Sequence, residues 1–90
     1  MPLTESVDFK AVLQKGNRIQ IPKLIRSQYQ TDPSQVLKVN VTTGSLREEF
    51  YARIGKDGRL TIPKLTLQLL QREDESLVGY VLEVTIEPAM

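Results

Sequence analysis

Residues 9–30 and 50–71 are two copies of one segment. At a shift of 41, nine of these 22 positions are identical: Phe9, Ala11, Lys15, Arg18, Ile21, Pro22, Lys23, Leu24 and Gln30. Further on, Val36-Leu37-Lys38-Val39-Asn40-Val41 matches Val81-Leu82-Glu83-Val84-Thr85-Ile86 at a shift of 45, so the second copy is four residues longer within 73–79. No other feature constrains the fold as strongly. A unit of about 41 residues is too small to bury a useful core alone. Two such units, each with one apolar face and an open sheet edge, gain most by pairing with each other. The whole of 1–90 is therefore expected to be one domain, built from repeats at about 8–43 and 49–87 that share a core. Residues 43–49 are the natural junction.

Each copy reads as strand, tight turn, strand, short helix, strand. Residues 9–13 are apolar-rich and end at a turn containing Gly16-Asn17; the second copy has Asp57-Gly58 there, a strong hairpin signal. Arg18-Ile19-Gln20-Ile21 and Arg59-Leu60-Thr61-Ile62 alternate polar with apolar, as half-buried strands do. Pro22 and Pro63 then block further pairing and preset φ for a helix of about two turns. Leu24, Ile25 and Gln28-Tyr29 supply an apolar side to the first helix, and Leu65, Leu69 and Leu70 to the second. Asp32-Pro33 and Glu73-Asp74-Glu75-Ser76 end those helices, and residues 35–43 and 77–87 return as strands. Ile19, Ile21, Val39, Leu60, Ile62, Val84 and Ile86 are the expected core.

The net charge is only +1, yet it is strongly polarised along the chain. Residues 10–30 and 53–72 hold ten basic side chains against one acid, Asp57, for a net +9. The remaining 49 residues hold two basic and ten acidic side chains, for a net −8. Such segregation predicts a basic surface suited to a polyanion, with an acidic side opposite. Arginines repeated directly after a turn, beside Lys15 and Lys56, concentrate positive charge where acids are scarce. Phosphate or base-edge contact is the reading for Arg18 and Arg59. The structural alternative is that either arginine pairs with acids of the opposite repeat, such as Asp57 or Glu48. For Lys10, Lys23, Lys64 and Arg72 the alternative is simple surface solubility. Tyr29, Tyr51 and Tyr80 do not interleave with the basic residues, which argues against a single-strand stacking platform.

With no cysteine and no histidine in 90 residues, disulfide frameworks, zinc sites and the usual nucleophilic triads are excluded. Glu73-Asp74-Glu75 reads as a solvated loop without the ligand spacing of a calcium site. No enzyme, cofactor or metal is expected. The longest uncharged run, residues 39–46, is far too short to span a membrane, and no secretory signal opens the chain. A cytoplasmic, nucleoid-associated protein is the expectation.

The segment Lys15-Gly16-Asn17-Arg18-Ile19-Gln20-Ile21-Pro22-Lys23-Leu24-Ile25-Arg26, followed by Leu37-Lys38-Val39-Asn40-Val41, resembles the AbrB/MazE/SpoVT swapped-hairpin family. Asp57-Gly58-Arg59-Leu60-Thr61-Ile62-Pro63-Lys64 fits that pattern more closely still, and the two copies cover nearly the whole chain. The resemblance implies a mainly β fold with two short helices, a small swapped-hairpin β-barrel with internal pseudo-two-fold symmetry. One chain would complete it as a fused pseudo-dimer, with any further homodimer formed outside. It also implies double-stranded DNA binding by a transcriptional regulator or chromatin-type protein, with Arg18 and Arg59 matching the family's turn arginine and Arg26 a basic position late in the helix. Together with other basic residues of the two windows, these give the expected DNA-binding site of Lys15, Arg18, Lys23, Arg26, Arg53, Lys56, Arg59 and Lys64. The second copy departs at Leu67, where the first has Arg26, and the first departs at Asn17, where the second has Gly58. An antitoxin-like protein that holds a toxin partner is the alternative; only residues 88–90 follow the last expected strand, which leaves no extended tail for that role.

Overall fold

The computed structural model describes residues 5–29, 34–55, 57–71 and 76–89. In chain order they form β1 (Val7–Val12), β2 (Arg18–Gln20), α1 (Lys23–Tyr29), β3 (Val36–Thr43), β4 (Leu46–Arg53), β5 (Arg59–Thr61), α2 (Lys64–Leu70) and β6 (Val81–Pro88). Strands predominate, and the fold is mainly β with two short helices. The strands make a four-stranded antiparallel sheet in the order β1-β6-β3-β4 and a separate ribbon of β2 with β5.

Every one of these strand pairs joins one repeat to the other. β1 pairs with β6, β6 with β3, β3 with β4 and β2 with β5. Within a repeat the first two strands are linked only by turn bonds, such as Gln14 N–H to the Arg18 carbonyl and Gly55 N–H to the Arg59 carbonyl. The register obeys the same two-fold relation as the sequence. A shift of 41 turns the pair Arg18–Thr61 into Arg59–Gln20, the other end of the ribbon, and leaves Ile19–Leu60 on the axis. A shift of 45 likewise leaves Asn40–Thr85 at the centre of the large sheet.

The expected closure into a barrel is not what forms. β1 and β4 remain as sheet edges, and the ribbon lies against them, β2 beside β1 and β5 beside β4. Strand length is the reason: β2 and β5 have three residues each, and Pro22 and Pro63, which lack an N–H, follow one residue beyond Ile21 and Ile62. The junction between repeats is also tighter than expected. Thr43 pairs with Leu46 across a two-residue loop, Gly44-Ser45, with Gly44 at φ 57° in the place where a type II′ hairpin calls for glycine.

Seventeen buried apolar side chains, drawn from both repeats, form one cluster among the described residues. Ile19, Ile21, Val39, Leu60, Ile62, Val84 and Ile86 all belong to it, each at most 1% exposed. The helix faces match expectation at Ile25 and Leu70, which meet the core, and differ elsewhere. Leu24, Leu65 and Leu69 are exposed, whereas α2 buries Thr66, Leu67 and Leu70. Pro22 and Pro63 set each helix's direction directly after a buried isoleucine, and in α2 that turns Leu67 and Leu70, spaced i and i+3, onto the core. The longer second copy uses part of its insertion to secure β1: Leu13 N–H donates to the Tyr80 carbonyl at 3.0 Å, and Gly79 N–H to the Leu13 carbonyl at 2.8 Å. The expected helix ends at Asp32-Pro33 and the acidic loop Glu73-Asp74-Glu75 lie outside the described residues, as does Arg72.

The outer face of the large sheet is not acidic. Asp8, Glu49, Glu83 and Glu87 share its outward positions with Lys10, Lys38, Arg47 and Arg53. Lys38 alone reaches both Glu49 and Glu87 at 3.6 Å. Strand pairing interleaves residues that are far apart in sequence, so on this face charge blocks along the chain do not become blocks in space. No helix among the described residues is long and apolar enough to cross a membrane.

Candidate nucleic-acid interface

The β2–β5 ribbon has a two-sided pattern. Ile19 and Leu60 point into the core and are fully buried, while Arg18, Gln20, Arg59 and Thr61 project from the other side. Antiparallel geometry sets Arg18 and Arg59 diagonally across the ribbon, with α-carbons roughly 8 Å apart.

Each end of the ribbon is tied to the turn of the opposite repeat. Ile21 N–H donates to the Gly58 carbonyl at 3.0 Å and Ile62 N–H to the Asn17 carbonyl at 2.7 Å. Lys23 and Lys64 follow two residues after these bonds, and both are exposed. The first turn, with Lys15 and Arg18, is therefore joined by Lys64, and the second, with Arg59, by Lys23. Lys15 is exposed as well. The first turn, bridged by Gln14 and Arg18, has Gly16 at φ 88° and Asn17 at φ 61°, and Asn is among the non-glycine residues that tolerate such values best.

Two of the expected site residues behave differently, and a third is not among the described residues. Arg26 is half-buried, donates from Nε to the Ile21 carbonyl at 3.2 Å, and lies flat on Gly58. Any Cβ at position 58 would overlap the Arg26 side chain, and Gly58 also holds φ 78°. This explains why the two copies depart together: glycine at 58 accompanies arginine at 26, and asparagine at 17 accompanies leucine at 67. Arg26 is thus a packing residue first. Arg53 projects from the outer face of the large sheet and donates from Nε to the Ser34 carbonyl at 3.3 Å, so it does not join the ribbon surface. Its neighbours Phe50 and Ala52 face the core, and strand alternation turns residue 53 the other way. Lys56 lies outside the described residues.

Arg59 is engaged within its own turn. Its Nη1 meets Asp57 Oδ2 at 3.3 Å, its Nε donates to Gln20 Oε1 at 3.2 Å, and its backbone N–H donates to Asp57 Oδ1 at 3.3 Å. Gln20 completes the arrangement by donating from Nε2 to the carbonyls of Asp57 at 3.1 Å, Gly58 at 3.2 Å and Ile21 at 3.3 Å. The ion pair expected as an alternative thus exists, but with the acid of the same repeat. Gln20 and Thr61 were absent from the expected site, although their alternation with Ile19 and Leu60 places them on the arginines' face.

No family model matches the chain, and no curated protein matches it. A solved structure does: the solution structure of PHS018 from Pyrococcus horikoshii, at 24% identity and a TM-score of 0.72, over 98% of this chain and 94% of that one. The likeness is one of fold. It extends over both repeats, so the whole interlaced arrangement is common to the two proteins.

Proposed function

We propose that the ribbon face and its two flanking turns bind double-stranded DNA, and that the protein is a regulator or chromatin-type component of the AbrB/MazE/SpoVT kind, working in the cytoplasm at the nucleoid. The observation that carries this reading is the outward row of Arg18, Gln20, Arg59 and Thr61 on a two-stranded ribbon, with Lys15, Lys23 and Lys64 exposed beside it. A two-stranded ribbon fits the major groove, and basic side chains at its turns reach the phosphates on either side. Hydrogen bonds from each repeat to the other's turn hold the ribbon rigid, which keeps the contact groups in place before binding. The near-neutral total charge is compatible with this, because counterion release depends on the cations at the interface alone.

A salt titration of duplex binding tests the reading. Lys15, Arg18, Lys23 and Lys64 meeting four phosphates would give log K against log salt a slope of about −3.6. Absence of binding at low salt, or a slope near zero, would refute it.

A further inference from the structure

We infer that the two repeats are unequal toward duplex DNA: Arg18 meets the phosphate backbone, whereas Arg59 is a positioning residue whose charge is committed to its own turn. The inference rests on the duplex-binding reading above and deepens it.

The repeat makes Arg18 and Arg59 equivalent in sequence, yet their surroundings differ in both groups that matter. Asp57, which takes the Arg59 Nη1 proton at 3.3 Å, corresponds to Gly16 in the first copy. Gln20, whose Oε1 takes the Arg59 Nε proton at 3.2 Å, corresponds across the axis to Thr61, which has no amide to offer. The first turn thus lacks the carboxylate and the carboxamide that hold Arg59. The Arg18 guanidinium extends over bare Gly16, where an added Cβ would stand 3.4 Å from Nε. Among the described residues the Arg18 guanidinium makes no hydrogen bond or ion pair; only its backbone is bonded, to Gln14.

A phosphate approaching Arg59 meets the Asp57 carboxylate on the same guanidinium. The pair is partly exposed, at 36% and 52% for the two side chains, so it adds little to stability. It still cancels the local charge, and a neutral pair releases no counterion. Arg18 keeps its full charge and its free donors. A homodimer with two equivalent turn arginines would favour a palindromic site. This chain instead engages the duplex more strongly through its first turn.

The test uses the full chain and a labelled mixed-sequence duplex, with anisotropy titrations at roughly 50 to 200 mM salt. Arg18→Gln should flatten the salt slope by about 0.9, so that wild type loses about 3.5-fold more affinity than the variant across that range. Arg59→Gln should leave the slope unchanged. Asp57→Asn should steepen it by about 0.9 by releasing Arg59, a gain that partial unfolding cannot produce. Equal flattening by Arg18→Gln and Arg59→Gln, or no steepening by Asp57→Asn, would overturn the inference and leave duplex binding standing. Failure of the wild type to bind any duplex would overturn the underlying reading, and the inference with it.

Discussion

Cutting the chain in the Gly44-Ser45 loop should leave two fragments that fold together and not apart. All strand ladders among the described residues join 1–44 to 45–90: six registered pairs between β1 and β6, three between β2 and β5, eight between β3 and β4, and six between β3 and β6. Fragment 1–44 alone keeps none of them. It also exposes its seven members of the core cluster, from Ala11 to Val41. At about 1.5–3 kcal/mol for each buried apolar side chain, that is a loss of about 10–20 kcal/mol, as large as the whole stability of a typical domain. The two-fold register would let 1–44 pair with a second copy of itself, but position 58 would then be filled by Asn17. Its Cβ would displace the partner copy's Arg26 side chain, at about 1 kcal/mol for each Arg26 Nε bond to the Ile21 carbonyl that is lost. In a dimer of 45–90, Leu67 would replace Arg26 over Gly58. Mixed fragments should therefore form the heterodimer, favoured about tenfold over the 1–44 homodimer. Circular dichroism and sedimentation of each fragment, alone and mixed, measure this directly. A folded, monomeric 1–44, or homodimers that persist on mixing, would refute the reasoning.

Gly58→Ala should destabilise the intact chain by about 1–3 kcal/mol, because it strains a residue at φ 78° and strikes Arg26. Adding Arg26→Ala should relieve the collision, though not the φ strain, and both appear as shifts in the urea midpoint. Leu67→Ala should cost about 2–4 kcal/mol, since Leu67 is 4% exposed, and should lower Tm by roughly 10 °C or more. Leu69→Ala, at an exposed position of the same helix, should stay within about 0.5 kcal/mol of wild type. Equal losses at 67 and 69 would mean that the helix buries a different face.

The repeat, the turns, the core isoleucines and the mainly β class could all be read from the residues, because each leaves a local mark. The duplication is visible in identities, Asn17 tolerates positive φ, and Ile19 and Ile21 alternate with polar neighbours. What the residues hid is non-local. Nothing near Gln20 announces that its amide reaches Asp57, Gly58 and Arg59, since strand pairing across the two-fold axis brings residues 37 to 39 positions apart together. The same interleaving places Lys38 between Glu49 and Glu87 and mixes both signs of charge on the outer face of the large sheet. Arg26 illustrates a different limit: a basic residue late in a helix reads as a contact for DNA, while the glycine it covers belongs to the other repeat. The helix faces were only partly legible: Ile25 and Leu70 do meet the core, but Leu24, Leu65 and Leu69 do not. Seven residues hold too few turns for a periodic signal, which leaves direction to the preceding Ile-Pro. Arg53 was assigned to the site in error, although its alternation with Phe50 and Ala52 already turns it away from the core side of its strand.

The surface that meets DNA can be located directly by titrating an unlabelled duplex into the 15N-labelled chain and following the backbone amide resonances. Shifts should concentrate in residues 15–20 and 57–61 and at Lys23 and Lys64, with the strongest changes around Arg18. Residues on the outer face of the large sheet, such as Asp8, Lys38, Glu83 and Thr85, should stay in place. Shifts centred on that outer face, with the ribbon and its turns unmoved, would contradict the account.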